Sequence, residues 1–269
     1  MTLRTLLREP GAALAAAFLL LLLGFALVPG LFAGYDPVDP AGPSLAPPSP
    51  SHWFGTDLTG RDVWSRVVHG TRRSLLAGVI AVTISLVAGS LLGMLAGHLG
   101  GVVDAVISRS VEVIVAIPGL LLSMAIISVL GFGIEKVAIA VGIAGIPTFV
   151  RIARSETLRI NALPYMDAAT TSGTGRLRAV LQHVVPNAWG AVAVVAGIDL
   201  GGAILSVAAL SFLGFGAVPP TPEWGSQINE GRLYIATAWW WSLFPALLAA
   251  GTVLAVNRLS RRVGTRSEA

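Results

Sequence analysis

The sequence predicts an all-α polytopic membrane protein with about six transmembrane helices. Three observations carry that expectation. The 269 residues are 54% hydrophobic and only 12% charged, with a mean hydropathy of +0.78. Soluble domains run at about 25% charged residues, so this chain has too little polar surface to cover a water-soluble globule. Six stretches are long and apolar enough to span, near residues 12–34, 74–97, 105–131, 137–153, 188–213 and 239–257, a spanning helix needing about 20 residues. Finally, the basic residues are asymmetric across those spans. With the N-terminus inside, twelve of the 18 Lys and Arg residues fall on the cytoplasmic side, which sets both termini in the cytoplasm.

Residues 1–11 form a cytoplasmic N-terminus with Arg4 and Arg8. The first span, 12–34, contains "ALAAAFLLLLLGFALVPGLFAG". A basic start before an apolar run also describes a signal peptide. The residues that follow, Leu31, Phe32 and Ala33, make a poor small-x-small cleavage site, so an uncleaved anchor is expected. An extracytoplasmic loop covers 35–73. Its first part, "YDPVDPAGPSLAPPSP", cannot be helical, because proline lacks the N–H and restricts the residue before it, so an extended linker is expected. Arg72 and Arg73 mark the outer end of the second span, where they would snorkel. The outer basic residues Arg61, Arg66 and Arg232 sit among Asp57, Asp62, Glu223 and Glu230, and are expected to be solvated and paired. Residues 74–257 hold the remaining five helices, an inner segment 159–187 and an outer loop 214–238. A cytoplasmic tail occupies 258–269. Trp239-Trp240-Trp241 suits an interfacial belt.

The inner segment is punctuated. Pro164 fits the first turn of a short helix, with Asp167 favourable to the helix dipole there and Ala168 and Ala169 favouring helix. Gly173 and Gly175 permit a reversal. "RLRAVLQHVV" then places Leu177, Val180, Leu181 and Val184 on one face of a second helix, which Pro186 ends or kinks. By the residues alone this is either an amphipathic connector or a docking surface. Glu112 and Asp199 lie within apolar runs, where a carboxylate is costly and faces a protein interior or a water-filled path. Each is read as a translocation-path residue or as a structural hydrogen-bonding group.

Several chemistries are excluded. The absence of cysteine removes disulfides and thiolate chemistry. A phosphate loop needs G-x-x-x-x-G-K-[ST], but the sole lysine, Lys136, lies between Glu135 and Val137. There is no H-E-x-x-H or G-x-S-x-G, and the four histidines are far apart, so no metal site and no catalytic residue is expected. No basic stripe is interleaved with aromatics, so nucleic acid is not a partner.

Asp167-Ala168-Ala169, Gly173 and the run His183-Val184-Val185-Pro186 resemble the EAA loop of ATP-binding-cassette (ABC) importer permeases, whose pattern is Glu-Ala-Ala-x3-Gly-x9-Ile-x-Leu-Pro. Both gaps fit, while Asp167, His183 and Val185 replace Glu, Ile and Leu. "HWFGTDLTGRDVWSRVVHGTRRSL", residues 52–75, resembles the segment before the second span in peptide and nickel permeases. "LSFLGFGAVPPTPEWGSQINEGR", residues 210–232, resembles the region after the fifth span in the C-type subunit of dipeptide and oligopeptide permeases. Val207 stands where that family carries an acidic residue, and the C-terminal tail departs from its pattern.

The resemblance implies a MetI-like permease core and a subunit of an ATP-driven importer of di- and oligopeptides. It assigns ATPase coupling to Asp167, Ala168, Ala169, Gly173 and Pro186. In that setting the costly carboxylates Asp199 and Glu112, read above from their place in apolar runs, would line the path and contact the peptide's amino group, and Asp57, Arg61, Asp62, Glu223 and Trp224 would form an outer gate or binding-protein contact. It implies a homologous B-type partner subunit, two ATPase subunits that bind ATP and Mg, an extracytoplasmic peptide-binding protein, and residence in a prokaryotic cytoplasmic membrane. This chain would bind no cofactor. A nickel permease subunit is the alternative within the family. A proton-coupled secondary transporter using Asp199 and Glu112 is the alternative from another class.

Overall fold

A computed structural model describes residues 10–164, 166, 182 and 184–267, the last six by backbone alone. Its helices are α1 (Pro10–Leu27), α2 (Val63–Leu99), α3 (Gly101–Val115), α4 (Gly119–Leu130), α5 (Ile134–Asn161), α6 (Val185–Phe212), α7 (Trp224–Gly231) and α8 (Trp239–Ser267). Short 3₁₀ turns cover Pro29–Leu31 and Arg232–Tyr234. Among the described residues there is no strand, only an isolated bridge between Thr56 and Asp62. The outer segments 35–62 and 213–238 pack together at one end of the bundle.

The most extensive helix pairing joins α2 to α5. It is built on a row of glycines one turn apart. Gly89 sits against Ile146 and Phe149, Gly93 against Val150 and Ala153, and Gly97 against Arg154 and Thr157. Small residues four apart let backbones approach closely, the usual way helices associate in lipid. On the facing helix Gly142 receives Ala81 and Ile84, and the Ser85 hydroxyl donates to the Gly142 carbonyl at 2.7 Å. These pairs rise together along both helices, so α2 and α5 are parallel.

That parallel pairing decides how many times the chain crosses. Five helices are long and apolar enough to span by themselves, and α3 with α4 form a pair bent by 94°. The chain leaves α2 at Leu99, level with the Arg154 end of α5, yet re-enters α5 at its opposite end, Ile134. Residues 100–133 must therefore traverse the bilayer, and the bent pair is one broken span. The sequence reading treated 105–131 as one continuous helix. The break falls at Ala116–Pro118, because a residue before proline is pushed out of the α region and proline has no N–H to continue the ladder. Pro147 and Pro245, by contrast, sit inside α5 and α8 without ending them.

The remaining neighbours run antiparallel. Gly11 and Phe18 of α1 meet Arg258 and Gly251 of α8, while Gly197 and Gly201 of α6 meet Ser260 and Asn257 of α8. The starts of α1 and α6 and the ends of α5 and α8 thus share one face of the bundle. Six crossings, with the start of α1 and the end of α8 on one side, follow from this geometry.

Two cores form. One joins α2, α4, α5 and α6 through Ala81, Ile127, Phe149, Ala153 and Leu210. The other joins α1, α2, α7 and α8 around Leu22, Phe25, Val67, Trp224 and Trp241. Helix α2 begins eleven residues before the expected 74. At 37 residues it is about 55 Å long, well beyond the about 30 Å of bilayer hydrocarbon, so its first turns stand in the outer unit. Its start is fixed by Asp62, whose carboxylate accepts the Ser65 N–H at 2.8 Å. The tryptophan run is not a simple belt. Trp239 is exposed, but Trp240 and Trp241 are core residues, and the Trp240 indole donates to the Thr56 carbonyl at 3.2 Å.

A side chain at Gly93 would collide with the Val150 backbone and the Ala153 methyl. Gly93→Leu is expected to cost about 3 kcal/mol, the upper part of the overpacking range. Gly190→Leu, at a glycine with nothing within 4 Å, is expected to unfold like the parent. Thermal unfolding of the detergent-solubilised chain checks both.

Candidate functional site

Three places concentrate polar chemistry in this apolar bundle. The first is the outer unit. Gly55 and Gly60 both have positive φ (70° and 80°), which lets segment 55–62 fold back on 41–46. Leu45 and Thr56 donate to the Asp57 and Ala46 carbonyls, and Ala41 and Gly42 to that of Gly60. The proline-rich stretch is therefore extended, as its composition requires, but is bonded down rather than a free linker.

A buried ionic cluster lies beneath it. Asp57 is fully buried and accepts from Arg61 Nε at 2.6 Å, from the Thr59 hydroxyl and N–H at 2.8 Å each, and from the Arg61 N–H. Arg66, also fully buried, lies 3.5 Å from Asp57 and 3.4 Å from Glu230 of α7. Its Nη1 donates to the carbonyls of Pro37 and Pro220, so one guanidinium ties the first outer loop, α2, the second outer loop and α7 together. Glu223 caps α7 by accepting from the N–H groups of Gly225 and Ser226, both at 2.8 Å, and from the Ser74 hydroxyl. The Trp224 indole donates to the Val67 carbonyl at 3.1 Å. Asp62 also meets His52 Nδ1 at 2.9 Å.

The five residues expected as an outer gate or binding-protein contact thus assemble in one unit, but inside it. Asp57, Asp62, Glu223 and Trp224 are at most 1% exposed and Arg61 is 8% exposed. The expectation that these charges are paired agrees with the geometry; the expectation that they are solvated does not. The Pro37 and Pro220 carbonyls bond to Arg66 within the cluster, and Trp240 of α8 bonds to the Thr56 carbonyl beside Asp57. Burial holds the Glu230 carboxyl above its ordinary value, against the opposing pull of Arg66 and Arg61.

The second place is a cleft of about 220 Å³ among α2, α4, α5 and α6. It is lined by Ser85, Gly119, Ser123, Gly145, Asp199 and Ser206, among others. Asp199 has no hydrogen-bond or ion-pair partner among the described residues. Glu112 is elsewhere. It lies exposed on α3, 2.9 Å from Arg109, and does not line the cleft. The two intramembrane carboxylates are not brought together.

The third is the inner face. Arg154 of α5 grips Asp104 of α3 bidentately through one guanidinium edge, Nε donating to Oδ1 and Nη2 to Oδ2 at 2.6 Å. Asn161 donates to the Gly97 carbonyl at 3.1 Å. Asp167, Ala168, Ala169, Gly173 and His183 lie outside the described residues. Pro186 is exposed in the first turn of α6, and most of the helix it was expected to end or kink lies outside the described residues.

Sequence reasoning missed the roles of Arg66, Glu230, Asp104 and the three cleft serines. For Arg66 a signal existed, since it lies four residues after the N-cap on the face continued by Gly70 and Ser74. The serines are indistinguishable in sequence from others on these helices.

Comparison with known proteins fits this architecture. Residues 89–267 match the family described as binding-protein-dependent transport system inner membrane component. The chain is 41% identical over 259 residues to the glutathione transport system permease protein GsiD of Escherichia coli O6:K15:H31, covering 94% of this chain and 84% of that protein. It is 38% identical over 213 residues to the probable D,D-dipeptide transport system permease protein DdpC of Escherichia coli K12, covering 79% and 72%. Among solved structures, an inward-facing form of the MetNI methionine ABC transporter superposes with a TM-score of 0.57 at 18% identity, covering 74% of this chain and 96% of that one. At that identity the likeness is one of fold.

Arg66→Met would leave Asp57 and Glu230 buried with one cation, Arg61, in place of two. A loss of about 3–5 kcal/mol is expected, read as a lower unfolding midpoint in detergent. For Glu230 the raised native value means the folded state holds the proton more tightly than the unfolded one. That contribution is present below the ordinary glutamate range and is lost as pH rises through the raised value. Glu230→Gln should flatten the decline in unfolding midpoint across that window, as a pH series of melts would show.

Proposed function

This chain belongs to the binding-protein-dependent transport system inner membrane component family, and on that premise we propose that it is the C-type permease subunit of an ATP-driven importer of di- and oligopeptides. The observation that carries the peptide assignment is the 41% identity, along nearly the whole chain, to a glutathione permease protein, joined by the D,D-dipeptide permease relative. Both named cargoes are peptides, which disfavours the nickel alternative.

The proposed complex contains a homologous B-type permease subunit, two ATPase subunits that carry ATP and Mg, and an extracytoplasmic peptide-binding protein. Both termini and the segment around Asp167–Gly173 face the cytoplasm, in line with the charge asymmetry. Closure of the ATPases pushes on that segment, which joins the end of α5 to the start of α6. Those two helices are walls of the Asp199 cleft, and α5 is locked to α2 by the glycine row, so movement at the inner face reaches the outer unit through α2. ATP supplies the free energy, and this chain supplies an element with two arrangements whose populations shift. In the outer unit, Asp57, Arg61, Asp62, Glu223 and Trp224 hold the shape of the surface that meets the binding protein, from beneath it.

The coupling role is tested by Gly173→Arg in the intact complex. Assembly should persist, peptide uptake should fall at least tenfold, and loaded binding protein should cease to stimulate ATP hydrolysis. Uptake at the parental rate, or uptake by the parent without ATP, would overturn the reading.

A further inference from the structure

We propose that the Asp199 cleft is a subsite for a primary ammonium group, the N-terminal amine of the peptide in transit. This rests on the importer reading above and adds to it the chemistry that the path recognises.

The first observation is the charge balance of the cleft. Asp199 is its single ionisable side chain, and no Lys, Arg or His lines it. The hydroxyls nearby do not supply donors to satisfy the carboxylate. Ser85 donates to the Gly142 carbonyl at 2.7 Å and Ser123 to the Gly119 carbonyl at 2.9 Å, so their protons are committed and their oxygens remain as acceptors. Only Ser206 keeps a free hydroxyl among the described residues. A site rich in acceptors, poor in donors and carrying one negative charge matches an –NH₃⁺, which has three donors and no acceptor.

The second observation is the backbone beside it. The wall opposite Asp199 includes Gly119 and Leu120, the first residues after the break in the α3–α4 span. Non-helical backbone at membrane depth is tolerated only where it is covered by protein or lines a water-filled cavity. Ala116, Ile117 and Pro118 are exposed on this chain, so the break lines such a cavity or meets another subunit. Gly119 and Leu120, which directly follow that break, line the cleft, so the broken span borders it.

The third is size. Its volume, about 220 Å³, holds several water-sized groups, a water's share of the liquid being about 30 Å³. Gly119, Gly145 and Gly202 provide that room by lacking side chains. The space suits a charged terminus with its first residue, not a whole peptide. Every unblocked peptide presents the same ammonium, so one subsite serves cargoes of varied side chains and lengths.

The test uses the complete complex in proteoliposomes with ATP inside and peptide-loaded binding protein outside. Uptake of labelled alanyl-alanine and of its N-acetyl derivative is compared for the parent, Asp199→Asn and Asp199→Glu. The Asn variant should lose at least tenfold in free-amine uptake while N-acetyl uptake changes less than twofold, and the Glu variant should stay within about threefold of the parent. Equal slowing of both peptides, or an Asn variant that carries the free amine at the parental rate, overturns the subsite. If the parent carries only the free-amine form, the Glu rescue decides, and a Glu variant as slow as Asn overturns it. Parental uptake that does not require ATP would instead sink the importer reading, so the two failures are distinct.

Discussion

The close, parallel contact of α2 with α5 is the constraint on which the rest of the molecule depends. Glycines 89, 93 and 97 remove the side chains that would hold the two backbones apart. Because the paired helices point the same way, the chain between them has to cross the bilayer, and it does so as two short helices with a 94° bend. The helix after the bend supplies Gly119, Leu120 and Ser123 to the cleft that holds Asp199. Topology, broken span and polar cleft thus descend from one packing choice.

The outer unit solves a different problem with different chemistry. Lipid offers no hydrophobic gain for packing apolar helices together, whereas charge and hydrogen bonding at the membrane surface can specify a unique arrangement. Here two arginines and two carboxylates, Arg61, Arg66, Asp57 and Glu230, knit together segments far apart in sequence. A buried ionic group is costly unless every lone pair and proton finds a partner. Arg66 meets it in part: Nη1 donates to the carbonyls of Pro37 and Pro220 and Nη2 to Glu230, while its buried Nε has an ion-pair contact with Asp57 but no hydrogen bond among the described residues. Both prolines lie in non-helical loops, where their carbonyls are free to accept, a use for a composition that reads as a spacer.

The spans were legible because hydropathy is a sum over many residues, and the five longest helices survive any single misreading. The family resemblance was legible because its motifs cluster in two stretches, 52–75 and 210–232. The break at Pro118 was not, since Pro147 and Pro245 sit in helices that continue; proline's consequence depends on whether neighbours cover the freed carbonyl. Burial of Asp57, Glu223 and Arg61 was also invisible. A charged residue in a loop looks solvated until its partners, more than a hundred residues away in the case of Ser74 and Glu223, are known. Asp199 stood out from the sequence by its cost, but the absence of a counter-charge around it is a fact of three dimensions.

The length of α2 carries a mechanical consequence. A single uninterrupted helix of 37 residues has one end embedded in the ion-tied outer unit and the other clipped to the inner end of α5 by Asn161. It contains no proline. Such a rod transmits torque with little loss, so the two aqueous faces of this subunit cannot tilt independently. A partner bound at either end would feel, through this one helix, a load applied at the other.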